Sequence, residues 1–306
     1  MDQRIKQIKT ASAVGILGNT ALALLKVILG FIAGSLAVVG DGVDSATDVL
    51  SFVIIFFALK IISKEPDEEH SYGHYRAEAL ATLIIAFLIL FAGVQLLIFA
   101  LTKIITAASS PVPSPLAVVV SFASVTGKLL LALYQFKIGR QTESAMLVAN
   151  GRNMLADLFV SVGVLGGTFA TITLRIPMID QAVAIFIAAW IIWTAVRVFL
   201  EANTELMDGV KDTSIYQAVF DAVDQVEKVT NPHRTRIRKL ANLYLIDLHI
   251  EVDGTLTVAE GHQLAMEVEH ILRQKIENLY DVAVHVEPLG NMEKEKYGLS
   301  PEKLGD

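Results

Sequence analysis

Runs of about twenty residues with almost no charge fill the first two-thirds of this chain, and they restrict its fold more than any other feature. A helix needs about 20 mostly apolar residues to cross about 30 Å of hydrocarbon. Six stretches meet that length: 10–34, broken only by Lys26; 36–59, which holds three aspartates; 79–102; 116–136; 143–173; and 178–200. The first is too long for a secretory leader and has no small-residue cleavage site close behind it, so it is read as a span. The expectation is an α-helical membrane protein with six transmembrane helices, embedded in a lipid bilayer over residues 1–206.

Lys and Arg set the orientation. Arg4, Lys6 and Lys9 precede the first span; Lys60, Lys64 and Arg76 lie between spans two and three; Lys137 and Arg140 lie between spans four and five. The opposite loops offer only Lys103 and Arg175. Both termini are therefore expected on the cytoplasmic side.

The remainder has a different composition. Residues 1–200 carry 14 basic and 12 acidic side chains, whereas 201–306 carry 11 and 20 in half the length. From about residue 207 to 290 the pattern is that of a small cytoplasmic α+β domain, resembling a metallochaperone in outline. Residues 213–227 have helical spacing, 233–240 read as a strand, and 243–253 alternate, with Ile246, Leu248, Ile250 and Val252 on one face. Thr257 with Glu260 forms a capping box that opens a helix to about 277, and 281–287 is a last strand. That order fits one small sheet with helices on one face. Residues 291–306 are polar and expected to be disordered. A domain this small gains from pairing with a second copy. The absence of cysteine excludes disulfides and thiolate chemistry, and a net charge of −7 argues against nucleic acid as a partner.

The costliest residues in this chain are Asp41, Asp44 and Asp48 in the second span, because a carboxylate at a helix centre in the bilayer costs about 2.5–3.5 kcal/mol on insertion scales. Asp44 and Asp48 are four apart and share a helix face, and the fifth span repeats that spacing with Asn153 and Asp157. If the two spans are neighbours, four oxygen-bearing side chains converge on one cation near mid-membrane. The alternative is that these acids pair with Lys26, Lys128 or Arg152 as structural ion pairs. Asp41, off the shared face and nearer the outer end, reads as structural.

All seven histidines lie outside the central stretches of the spans. Asp67, His70 and His74 follow the second span with a spacing that suits a three-ligand site for zinc or its neighbours, although a solvated acidic loop would look the same. In the tail, His249 lies on the polar face of its strand, and His285 shares a face with Glu287. His270 has no acidic partners nearby in sequence and reads as an exposed helix residue.

Taken together, the six spans, D-x-x-x-D in the second, the Asp of the fifth, HSYGHYRAE, LMD after the sixth and the histidine-bearing tail resemble the cation diffusion facilitators over nearly the whole chain. The resemblance implies a homodimer in the cell inner membrane. It would export a divalent metal, Mn²⁺ or Zn²⁺, in exchange for protons by alternating access, and it would not be an enzyme. It implies a transport site of Asp44, Asp48, Asn153 and Asp157, and a loop site of Asp67, His70 and His74. It also implies a cytoplasmic-domain site of His233, His249, His262, His285 and Glu287. Arg76 and Asp208 match a basic–acidic pair at the dimer interface, with Arg in place of the Lys of zinc members. Asn153 departs from the His of zinc-type members. The resulting all-oxygen set favours Mn²⁺ relative to Zn²⁺, since imidazole is what most helps zinc. Two rival classes remain: a membrane-bound metal sensor that does not transport, and an intramembrane aspartyl protease, which needs one catalytic Asp on each of two helices.

Overall fold

The computed structural model describes residues 2–106, 112–142, 144–210, 212–241, 243–290 and 297–304. The apolar runs form helices: α1 (Asp2–Ala33), α2 (Leu36–Ile62), α3 (Ala77–Ile105), α4 (Leu116–Gln141), α5 (Ala145–Leu174) and α6 (Met178–Leu206). Among the described residues, five of them, α1 and α3–α6, contain segments long and apolar enough to cross a membrane. α2, at 27 residues, is as long and carries the three aspartates. Contacts divide the chain into two units, residues 1–57 with 81–199 and residues 58–80 with 200–306.

The first unit is built inside-out relative to a water-soluble domain. Phe31, Phe91, Phe122, Phe159 and Phe186 are exposed, while Ala33, Ala37, Ala117, Ala188 and Ala195 are buried together with Val38, Ile89 and Ile191. Hydrocarbon exacts no penalty for exposed phenylalanine, so such helices associate through small residues that let backbones approach. Gly42 shows why: a methyl group there would come within 2.8 Å of the Val27 backbone nitrogen and 2.9 Å of Lys26 Cβ. Only glycine lets α2 pass α1 this closely. α4 packs along both α1 and α5, and Gln135 Nε2 donates to the Ala11 carbonyl at 2.8 Å.

The start of α2 is held by a residue far away in sequence. Asp180, in the first turn of α6, accepts from the Leu36 backbone N–H at 2.6 Å and from the Ser35 hydroxyl at 2.5 Å. These bonds satisfy donors that every helix start leaves open, in a place where water cannot.

The second unit contains α7 (Ser214–Val223), β1 (Thr230–Leu240), β2 (Leu243–Val252), α8 (Val258–Lys275) and β3 (Leu279–Pro288). The sheet order is β1-β2-β3, with β1 antiparallel to β2, and β3 parallel to β2 after the α8 crossover. The alternation in β2 does what its period requires: Ile246, Leu248, Ile250 and Val252 enter a core with Phe220 and Val223 from α7, and Val268 and Leu272 from α8. The opposite face of the sheet is left for polar side chains.

The capping box closes as its spacing demands. Glu260 N–H donates to Thr257 Oγ1 at 3.3 Å, and Thr257 N–H donates to Glu260 Oε2 at 2.8 Å. Thr257→Ala should cost about 1 kcal/mol, read as faster hydrogen exchange of the first α8 amides in the intact protein. Unchanged exchange there would count against the cap.

The expectation of a disordered tail fails for its described part. Leu299 exchanges backbone hydrogen bonds with Thr235 at 3.0 and 2.9 Å, residues 301–303 form a 3-10 turn, and Leu304 packs on the core. The outer edge of β1 offers unpaired backbone groups, which is what a short apolar segment can satisfy. The rest of the tail, 291–296 and 305–306, lies outside the described residues.

Candidate functional site

Three groups of ligand-type side chains stand out, one in the first unit and two in the second. In the first unit, Asp44 and Asp48 lie on successive turns of α2, and Asp157 approaches them from α5. The Asp48 and Asp157 carboxyls are within hydrogen-bonding reach of each other, with Asp44 close by. Asn153 lies one turn earlier on α5 and is exposed. The structure therefore brings three of the four expected residues together and leaves Asn153 at the margin.

The intramembrane lysines separate these acids into two kinds. Lys26 Nζ contacts Asp41 Oδ2 at 2.8 Å and donates to the hydroxyls of Ser45 at 3.1 Å and Ser161 at 3.3 Å. Ser161 in turn donates to Asp41 Oδ1 at 2.8 Å. Asp41 is thus a structural ion-pair residue, but not because of its face: seven residues before Asp48, it lies only about 20° from it around α2, and the Lys26 network is what sets it apart. Lys128, from α4, approaches Asp157 Oδ2 at 3.3 Å. That contact is the ion-pair alternative realised for one member of the acid cluster.

In the second unit, Asp67, His70 and His74 offer ligand atoms all within 4.8 Å of one another. His70 Nδ1 is 3.0 Å from Asp67 Oδ1, and His74 Nε2 is 3.5 Å from Asp67 Oδ2. The histidines do not open the next helix; they lie in the turns before it, where Gly73 takes a φ of +78° that a side chain would resist. Desolvation pushes the Asp67 carboxyl up. Donation from the His70 backbone and ring, with His74 nearby, outweighs it and holds the group below its usual range. An ionised carboxylate beside two imidazoles is a donor set suited to a divalent metal.

The third group is organised by the sheet. Register places His233 opposite His249, and His249 beside His285, so one row of the polar face carries a histidine from every strand. Glu287 lies next to that row: its carboxylate is 2.6 Å from His249 Nδ1, 3.4 Å from His233 Nε2 and 3.5 Å from His285 Nε2. His233, His249 and Glu287 have ligand atoms within 4.8 Å of one another. His285 is more open and packs against His249 with the rings tilted by 48° and their centroids 4.5 Å apart. His262 is exposed on α8 and lines a groove with Val286, Glu287 and Pro288 rather than joining that trio.

Two details fit this set to a metal. His233 Nδ1 is 2.7 Å from the Asn231 carbonyl, a partner that fixes the proton on Nδ1 and leaves Nε2 as the donor atom. Irregular pairing on either side of His233, with positive φ at Asn231 and Arg234, aims the ring inward. Burial pushes the His249 imidazole below its usual range. The charges of His285 and Arg234 add to this, against the opposing pull of Glu287. The neutral imidazole so favoured is the form that binds metal. Nothing in a strand pattern announces the Asn231 contact, which sequence reasoning missed. His270 is exposed and contacts Gln274.

Arg76 pairs with Asp208 within this chain and does more. Its Nη1 donates to the carbonyls of Glu205 at 3.2 Å and Leu206 at 3.1 Å, satisfying the end of α6.

Comparison with known proteins follows these features. Residues 12–207 match a family model described as the cation efflux transmembrane domain, and 212–289 match one described as the cation efflux protein cytoplasmic domain. The manganese efflux system protein MneS of Bacillus subtilis is 31% identical over 93% of this chain and 97% of its own length. The cation-efflux pump FieF of Cronobacter sakazakii is 26% identical over 92% of this chain and 93% of its own. Among solved structures, the metal-bound C-terminal domain of the CzcD transporter from Thermotoga maritima is 37% identical, covering 28% of this chain and all of that one, with a TM-score of 0.26.

Proposed function

This chain belongs to the cation efflux family, the cation diffusion facilitators, and from that membership we propose that it exports Mn²⁺ in preference to Zn²⁺ in exchange for protons. The observation that carries the reading is the convergence of Asp44, Asp48 and Asp157 inside the helical unit, with Asn153 one turn away as the fourth, neutral oxygen donor. No imidazole joins them among the described residues, and hard oxygen donors suit Mn²⁺ better than they suit Zn²⁺ against its competitors. The name of MneS points the same way.

Transport in this reading is an exchange on carboxylates. Three acids packed together repel one another, so the metal-free site holds protons, and an arriving dication expels them. Release on the far side lets the protons return. Asn153 cannot titrate and takes no part in the proton count.

The membrane domain spans residues 1–206, with α2 as its sixth crossing, and both termini face the cytoplasm across the inner membrane. Residues 207–290 form the cytoplasmic domain, through which the protein pairs as a homodimer, with Arg76 and Asp208 at the interface. His233, His249, His285 and Glu287 bind metal there and draw the two domains together, with His262 outside the set. Asp67, His70 and His74 hold a further ion.

The test is transport into proteoliposomes with Mn²⁺ and Zn²⁺ side by side, with and without a pH gradient, for wild type and Asn153→His. Faster Mn²⁺ transport by wild type and a swing toward Zn²⁺ in the variant are expected. Equal or faster Zn²⁺ transport by wild type would sink the metal assignment, and indifference to the pH gradient would sink the exchange.

A further inference from the structure

Two lysines are buried in the helical unit, and they are bonded in opposite ways. The Lys26 and Lys128 side chains are 0% and 2% exposed. The Lys26 ammonium has a carboxylate at 2.8 Å and two hydroxyl acceptors, the full set that a buried charge requires. Among the described residues, the Lys128 ammonium has Asp157 Oδ2 at 3.3 Å and makes no hydrogen bond, and Asp157 Oδ2 accepts none. Lys26 is locked in place. Lys128 is held by charge alone.

That difference matters because of where Lys128 points. Its charge acts on Asp44 and Asp48 as well as on Asp157. We propose that Lys128 is a tethered competitor of the transported metal: its ammonium occupies the Asp157 carboxylate while the site is empty, and its charge weakens the grip of the site on an incoming dication. This rests on the transport-site reading above.

The physical case has three parts. An acid cluster in a low-dielectric interior needs positive charge nearby, and a side chain supplies it at a high effective concentration without leaving the protein. A dication that ligates Asp157 must either share this carboxylate with the ammonium or push it aside, and repulsion between the cations opposes binding in both cases. The lysine stem has four rotatable carbons, and no hydrogen bond has to break for the ammonium to withdraw. A transport site must bind tightly enough to load and weakly enough to release. A fixed competing charge sets that balance.

The test uses the intact protein with Mn²⁺ as the probe, in a His70→Ala/His249→Ala background so that binding reports on the membrane site. Lys128→Met should tighten Mn²⁺ binding about tenfold or more, with KM and kcat for transport both falling as release slows. Lys128→Arg, which keeps the charge, should stay near wild type. Asp48→Asn serves as the control for the site itself. If Asp48→Asn abolishes binding but Lys128→Met leaves it unchanged or weaker, the competitor role is overturned and the site stands. If Asp48→Asn leaves binding and transport intact, the site reading falls and takes the competitor role with it. Should Lys128→Met be recovered only when Mn²⁺ is supplied, the metal has replaced the missing charge, as the proposal requires. If Mn²⁺ does not rescue it while Lys128→Arg is recovered normally, metal and ammonium do not share a place and the proposal is wrong.

Discussion

Asp48→Asn is expected to reduce Mn²⁺ transport by at least about a hundredfold, since even partners that only orient a metal ligand are worth about 10–100-fold. The substitution keeps the shape and removes the charge. Asp48 sits within hydrogen-bonding reach of Asp157 on the facing helix, so under the proposed exchange its loss would take one carboxylate from the cation and one site from the exchanged protons. The experiment is paired: flux into proteoliposomes and Mn²⁺ binding by the cytoplasmic trio of His233, His249 and Glu287. Flux should vanish while binding there persists. A protein that only sensed metal would show no flux even as wild type. A protease built on these acids would show cleavage and no flux. Undiminished flux in Asp48→Asn would remove α2 from the transport path.

Lys26→Met is expected to destabilise the protein by about 3–5 kcal/mol, the usual consequence of removing one partner from a buried ion pair. Asp41 is 1% exposed, and it would be left with a single hydroxyl donor, Ser161, in place of an ammonium. The effect should appear as a large drop in the thermal midpoint of detergent-solubilised protein. The double variant Lys26→Met/Asp41→Asn should recover most of it, because neutralising both partners leaves no buried charge uncompensated. Mn²⁺ should not rescue Lys26→Met, in contrast to Lys128→Met, because the Lys26 network is closed by Ser45 and Ser161 and offers an ion no place. A loss below about 1 kcal/mol would place this pair with the weak, solvated kind.

Both predictions depend on telling one aspartate of α2 from another, and the sequence went some way toward that. The spacing marked Asp44 and Asp48 as a pair on successive turns and set Asp41 one turn nearer the start of α2, but at about 100° per residue all three fall within about 60° of one another around the helix. It could not say which lysine would meet which acid. Lys26 and Lys128 are both single charges in apolar runs, and only the packing of α1 and α4 made one a structural partner and the other a neighbour of the acid cluster. Asp180 is a similar case. Its charge was visible in the sequence, yet its role at the start of α2 depends on a bond between residues 144 apart in the chain. The placement of Asn153 at the margin of the three acids is likewise a matter of helix rotation.

The histidines of the second unit make the same division. Alternation along β2 placed His249 on the polar face, since side chains in a strand point to opposite sides in turn. That three strands would align His233, His249 and His285 in one row follows from register, which is fixed by turns, crossover and core packing together. His262 had the same standing in the sequence as the others and stays apart because α8 carries it. By itself, then, the sequence determined the apolar helices, the outline of the small α+β domain, the capping box at Thr257 and the face on which each candidate ligand lies. All of these follow from local periodicity and the cost of charge in hydrocarbon. The tertiary structure alone decided which candidates meet and which acid keeps a permanent cation. Those outcomes rest on distances between elements far apart in the chain, which no pattern within a single element records.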